Sequence, residues 1–247
     1  MVFADSLQRI EDQEMINEFK TICYPTVPKE KLTKVITDLE KHSKSFSIPA
    51  LQQLSDAMFN YFRPFLPLYP AAKLMHEPLR GGLALHTWEV ITLLNNSVFR
   101  DKGLDKDVLF FSALYHDIGK THEYTDDIQW APAGRLLNHA MVAVELMKEF
   151  TIRNNIALPE IIYWHVKHCI QSHHGKDYGN EKPATREAIA LHHADAMCAG
   201  IGIIDEQIRI GNIDRNGWAI HDAHLEVTPY VPQLDIHSFN SNDTANS

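Results

Sequence analysis

The apolar run Val108-Leu-Phe-Phe-Ser-Ala-Leu114 passes straight into Tyr115-His-Asp-Ile-Gly-Lys120 with no polar spacer. A run of this kind reads as a helix packed inside a core. An ionised carboxylate at its end, Asp117, is expensive to bury without a partner. The chain must therefore fold so that its core delivers His116 and Asp117 to something that balances their charge. A bound cation does this.

The helical period recurs on both sides of that run. Residues 5–22 carry Leu7, Ile10, Ile16, Phe19 and Ile22 at helical spacing, and 31–41 carry the stripe Leu32, Val35, Ile36 and Leu39. A third helix is expected over 50–62, closed by Pro64, Pro67 and Pro70. Further helices are expected over 83–95, 106–118, 136–150, 159–174 and 185–200. Pro159 suits a first turn, Gly175 a C-terminal cap and Thr185 an N-cap. No alternating strand set, internal repeat or low-complexity block interrupts the pattern. The expected fold is all-α, a helical bundle over 71–215. An N-terminal helical extension (1–70) precedes it, and an irregular tail (216–247) follows.

At 247 residues the chain can bury a sizeable core without disulfides. No apolar run approaches the ~18 residues of a membrane span, and the first residues carry no basic flank or apolar h-region of a signal peptide. Cys23, Cys169 and Cys198 lie far apart, which fits a reducing cytoplasm and argues against a zinc-thiolate site. The formal net charge of −9 speaks against a protein that coats duplex DNA. It leaves room for a metal-lined pocket that takes a single phosphate chain. The oligomeric state is left open.

Histidines, 15 of them, outnumber the 11 glycines. His86, His116, Asp117, His139, His173, His174 and Asp195 fall inside or at the ends of five expected helices. Each of these helices has apolar neighbours that draw it into one bundle. Helical bundles build metal sites from side chains on facing helices in this way. Imidazole and carboxylate without thiolate suit Mn, Fe, Co, Ni, Zn or Mg. A carboxylate can bridge two ions where an imidazole nitrogen holds one, so Asp117 is the natural bridge. Two ions ~3.5–4 Å apart polarise a phosphate and generate hydroxide near neutral pH. Lys120, four residues after His116, is expected on the same helix face, placed to neutralise a phosphate oxygen.

The order His86, His116-Asp117, Asp195 resembles the HD superfamily of metal-dependent phosphohydrolases. The stretches YPAAKLMHE (69–77), GGLALHT (81–87), LYHDIGK (114–120), GRLLNH (134–139), SHHGKDYG (172–179) and LHHADAM (191–197) bring the resemblance closer to the HD domain of YhaM-type 3′–5′ exoribonucleases. The resemblance implies that His86, His116, Asp117 and Asp195 are the ligands common to HD proteins. It implies that His139 and His173 are the extra ligands of dinuclear members, with Asp117 bridging. His174 then touches phosphate or a metal water, and Lys120 lies near the scissile phosphate. YhaM-type proteins join an oligonucleotide-binding β-barrel to this domain, whereas residues 1–45 here are too short and too helical for one. Met75-His76 also stands where the family often shows two histidines.

The expected activity is hydrolysis of phosphate esters of single-stranded RNA from the 3′ end, or of short oligonucleotides, by in-line attack with two divalent ions. The alternatives are a small-molecule nucleotidase or cyclic-nucleotide phosphodiesterase, a non-catalytic HD nucleotide sensor, and an iron-dependent oxygenase on a related scaffold. Other residues are expected in quieter roles. His165 and His168 read as surface or capping residues, and His192 and His193 as packing residues or supports that orient Asp195. His122-Glu123 reads as the start of a loop, and His221 and His224 as tail. Trp88, Trp164 and Trp218 read as core, while Trp130 sits on a loop able to cover a nucleobase. Arg80 and Arg135 are expected to be solvated.

Overall fold

The computed structural model describes residues 25–73, 77–97, 103–125, 127–178 and 181–232. The helix expected over 5–22, His76 and the end of the tail lie outside the described residues.

Helices α1 (Lys29–Ser43), α2 (Pro49–Phe62), α3 (Gly82–Asn96) and α4 (Lys106–Tyr115) come first. Two short helices, α5 (Lys120–Glu123) and α6 (Pro132–Leu136), lead into α7 (His139–Arg153) and α8 (Glu160–Gln171). A single turn, α9 (Gly175–Tyr178), precedes the long α10 (Arg186–Arg209). Among the described residues, β pairing is confined to isolated bridges such as Thr26 with Arg80. The fold is all-α, as the periodicity requires.

Helix α4 lies at the centre, packed on α1, α2, α3, α8 and α10. Its sequence explains this position: Val108, Leu109, Phe111, Ala113, Leu114 and Tyr115 are all buried, so it has no face to give to water. Asp105 caps its start by accepting from Val108 N at 3.0 Å. Glu187 accepts from Asp105 N at 2.7 Å and ties this end to the first turn of α10. The stripe Leu32, Val35 and Leu39 of α1 is buried, and α1 and α2 pack on α3, α4 and α7.

Helix α10 runs to Arg209, nine residues past its expected end, and three other helix ends that depart from the simple period lie at candidate residues. Helix α4 stops at Tyr115, not 118. The stretch 116–119 is a turn held by i→i+3 bonds, Ile118 N to Tyr115 O at 3.2 Å and Lys120 N to Asp117 O at 2.9 Å. Gly119 permits the tightening, because a Cβ there would collide with the His139 carbonyl oxygen. Helix α7 starts at His139, capped by Asn138, whose side chain accepts from Met141 N at 2.7 Å. Helix α8 ends at Gln171 and His173-His174 lie in the following turn; Gly175, with φ +66°, comes three residues later than a cap would.

Thr185 is the N-cap of α10, accepting from Ala188 N at 3.1 Å. Trp164 and Trp218 are 50% and 48% exposed, so the expectation that they are core is wrong. No helix among the described residues is long and apolar enough to cross a membrane.

Candidate metal centre

His86 from α3, His116 and Asp117 from the turn after α4, His139 from the first residue of α7, His173 and His174 from the turn after α8, and Asp195 from α10 converge on one place. The two turns matter. On a continuous helix, neighbouring side chains diverge by roughly 100°, whereas here His116 Nε2 stands 3.5 Å from Asp117 Oδ2.

The donor atoms fall into two groups able to hold an ion: His86, His116 and Asp195, and Asp117, His139, His173 and His174. In the first, Asp195 Oδ1 lies 2.9 Å from His86 Nε2 and 3.7 Å from His116 Nε2. In the second, Asp117 Oδ1 lies 3.2 Å from His139 Nε2 and 3.6 Å from His173 Nε2. The other Asp117 oxygen faces the first group, 3.8 Å from His86 Nε2. Asp117 therefore stands between the groups with one oxygen toward each. His174 joins the second, its Nε2 2.8 Å from His139 Nε2, and reaches across to Asp195 with its Nδ1 3.6 Å from Oδ2.

The donor chemistry fits a divalent metal. His116 Nδ1 lies 2.8 Å from the Ala113 carbonyl and His173 Nδ1 2.6 Å from the Ile170 carbonyl. A carbonyl only accepts, so both Nδ1 atoms carry the proton and both Nε2 atoms turn a lone pair to the centre. His116 Nε2, His173 Nε2 and Asp117 Oδ1 are buried and make no hydrogen bond among the described residues. Three such acceptors in one centre are costly unless a cation binds them. The charges agree: two buried carboxylates face one buried ammonium, Lys120, whose Nζ donates to Asp117 Oδ2 at 2.7 Å.

Titration follows the same field. Burial alone would raise the Asp117 carboxyl, but Lys120 and the surrounding imidazoles hold it well below its ordinary value. Asp195 is likewise held well below its ordinary value, against burial, by the His116 and His86 imidazoles beside it. Burial pulls the His116 imidazole down, yet Asp117 and Asp195 outweigh it and raise it, the mark of a position that attracts positive charge. Burial lowers His173, and burial together with His173 and His139 drives His174 well below its ordinary value.

Two carboxylates outside the expected set support the centre. Glu77 Oε2 lies 3.6 Å from His86 Nδ1, on a residue whose φ of 40° is left-handed, an uncommon conformation for a glutamate that places its side chain. Burial raises its carboxyl to about 7. Glu123 Oε2 lies 3.4 Å from His139 Nδ1 and is buried. It was expected only to open a loop. A carboxylate behind a ligating imidazole orients the ring and raises its basicity. Glu77 closed one of the family-like stretches, which was the available signal; Glu123 had none beyond its place six residues after Asp117.

His165 and His168 do not join the site. His165 Nε2 lies 2.9 Å from Glu187 Oε2, and His168 Nε2 accepts from Ala184 N at 2.9 Å, so both tie α8 to the start of α10. His192 binds the His173 carbonyl through Nδ1 at 2.6 Å, supporting the turn that carries His173. It lines the centre's cleft, while His193 faces an apolar groove elsewhere. The cleft over the centre has a volume of about 680 Å³. Lys120, Tyr124, Trp130, His174 and Asp195 are in its wall, together with Ala223 and His224 from beyond α10. Arg135 lies over the Trp130 ring, 5.5 Å from its centroid.

Residues 83–200 match the family described as the HD domain. The chain is similar to the 3′-5′ exoribonuclease YhaM of Bacillus subtilis (strain 168), 25% identical over 224 residues that make up 88% of this chain and 70% of that protein. It is also similar to YhaM of Listeria monocytogenes serotype 4b (strain F2365), 27% identical over 74% of this chain and 58% of the relative. YhaM of Bacillus velezensis is 26% identical over 79% of this chain and 63% of the relative. The chain thus spans between about 58% and 70% of the length of these relatives. No solved structure gives a significant match. All of the paired His/Asp groups lie within the stretch that matches the HD domain, and the match together with these groups supports a metal-dependent phosphoric ester hydrolase.

Proposed function

We propose that this protein is a phosphodiesterase acting on the 3′ end of single-stranded RNA or short oligonucleotides, with two divalent ions, one in each donor group. The observation that carries the reading is Asp117 standing between the groups with an oxygen toward each. The names of the relatives give the substrate class. His86, His116 and Asp195 would hold one ion, His139 and His173 the other, and Asp117 both. When bound, such ions supply Lewis acidity toward a phosphoryl oxygen and lower the pKa of the attacking water.

The remaining work falls to the chain. Lys120, already buried beside Asp117, turns an N–H to a non-bridging oxygen as its charge grows. His174, held neutral near pH 7 by its surroundings, offers a ring nitrogen at the cleft to take or pass a proton. Glu77 and Glu123 hold the rings of His86 and His139 in place. In this reading residues 71–215 are the catalytic body.

A second reading, a small-molecule nucleotidase or cyclic-nucleotide phosphodiesterase, draws on the acidic chain and a cleft of about 680 Å³, a size typical of small-ligand sites. A 5′-labelled single-stranded RNA incubated with Mn²⁺ beside a panel of mononucleotides and cyclic nucleotides decides between them. A ladder shortening from the 3′ end supports the first reading. Intact RNA with a hydrolysed nucleotide overturns it in favour of the second.

A further inference from the structure

The chain beyond α10 folds back on itself. Asp214 N donates to Trp218 O at 2.8 Å, Ala219 N to Pro229 O at 2.9 Å, Val231 N to Gly217 O at 2.7 Å and Asp222 N to Val227 O at 2.9 Å. At the tip, Asp222 Oδ1 accepts from both His224 N and Leu225 N at 2.9 Å, an Asx turn that fixes the backbone there. Leu225 lies against Gly200 of α10, its Cδ2 3.5 Å from where a Cβ would stand. This anchoring carries Ala223 and His224 into the wall of the metal-centre cleft, beside Ala196, Ala199 and Asp195. The HD-domain match ends at residue 200, so this part of the wall comes from outside it.

The two sides of the cleft differ chemically. The centre's side already holds Lys120 and the imidazoles, enough for the phosphate under attack. The side built by the return is alanine apart from His224. In a chain of net charge −9, the overall charge does not draw in an RNA backbone, which gives short-range donors in the cleft more weight. An imidazole N–H is such a donor.

We propose that His224 is a substrate-binding residue, donating a ring N–H to the phosphodiester one nucleotide away from the bond being cleaved. The proposal rests on the phosphodiesterase reading above and adds what that reading lacks, a means to prefer oligonucleotides over small diesters. The return built by residues 213–231 is then a wall of the active site.

The test compares a short RNA oligonucleotide with bis(p-nitrophenyl) phosphate, which has no second phosphodiester, in Mn²⁺. His224→Ala should raise KM for the RNA about tenfold, the loss expected for one hydrogen bond to a charged group. It should leave kcat/KM for the small diester within about twofold, since that substrate has no second phosphodiester for His224 to hold. His224→Gln, which keeps an N–H donor, should recover part of the RNA KM. An unchanged RNA KM in His224→Ala overturns the inference. So does an equal loss on both substrates, or a loss of bound metal, either of which marks a structural role. Wild-type protein that hydrolyses the small diester but no RNA overturns the RNA reading and the inference with it.

Discussion

Lys120 Nζ lies 2.7 Å from Asp117 Oδ2, and both side chains are buried. One carboxylate thus serves a lysine and stands between two groups of side chains able to hold an ion. The short i→i+3 turn over 116–119 creates this arrangement, since it brings Lys120 back over Asp117.

Removing Asp117 tests the shared carboxylate. Asp117→Ala should lose bound metal and hydrolytic activity together while circular dichroism keeps its helical signal. The melting temperature should fall, because Lys120 is left buried without its partner, a change worth about 3–5 kcal/mol in comparable buried pairs. Metal analysis of the purified variant checks this, and full metal content would count against the assignment.

Lys120 separates binding of metal from chemistry. Lys120→Met should keep its metal and lower kcat by about 10²–10³, the usual effect of losing one preorganised donor to a developing oxyanion. A variant with unchanged kcat would leave Lys120 as no more than a counter-ion for Asp117.

Glu123 stands behind His139. Glu123→Gln should weaken metal affinity by roughly 10–100-fold with helix content intact, as loss of a carboxylate behind a ligating imidazole does. Competition with a metallochromic chelator reads the change. Unaltered affinity would mean that the 3.4 Å approach to His139 Nδ1 orients nothing.

Alkaline stability isolates a group outside the donor set. Tyr115 donates to the Ser55 carbonyl at 3.0 Å, and burial raises its phenol above its ordinary value of 10.0. A raised folded pKa means that the unfolded chain loses its proton first. Stability is therefore complete below pH 10 and is lost as pH rises beyond it, by up to about 1.4 kcal/mol per pH unit. Cys169, pushed up to about 12 by burial, acts with the same sign. Urea unfolding between pH 8 and 11 should show this decline, and Tyr115→Phe should make it shallower. Equal slopes would contradict it.

The helices were legible because their apolar stripes are long and regular. Residues 108–115 could be placed at the centre from composition alone, since a segment apolar nearly all round has nowhere else to go. The residues of the two donor groups were legible for a related reason, as polar side chains at the ends of such segments need partners. The turn at 116–119 was not legible, because it depends on Gly119 meeting the His139 carbonyl, a contact between residues twenty apart. Glu77 and Glu123 escaped because a supporting carboxylate has no spacing of its own; the fold brings it to its imidazole. His224 escaped for the same reason. It reaches the cleft by a return held with backbone bonds, which leave no period in the sequence.

The most direct measurement is the rate of bis(p-nitrophenyl) phosphate hydrolysis as Mn²⁺ is titrated into chelator-treated protein, for the wild type and Asp117→Ala. The account predicts a wild-type rate that rises from baseline with added metal and an Asp117→Ala rate that stays at baseline. A variant that responds to metal like the wild type, or a wild type that is equally active in chelator, would contradict it.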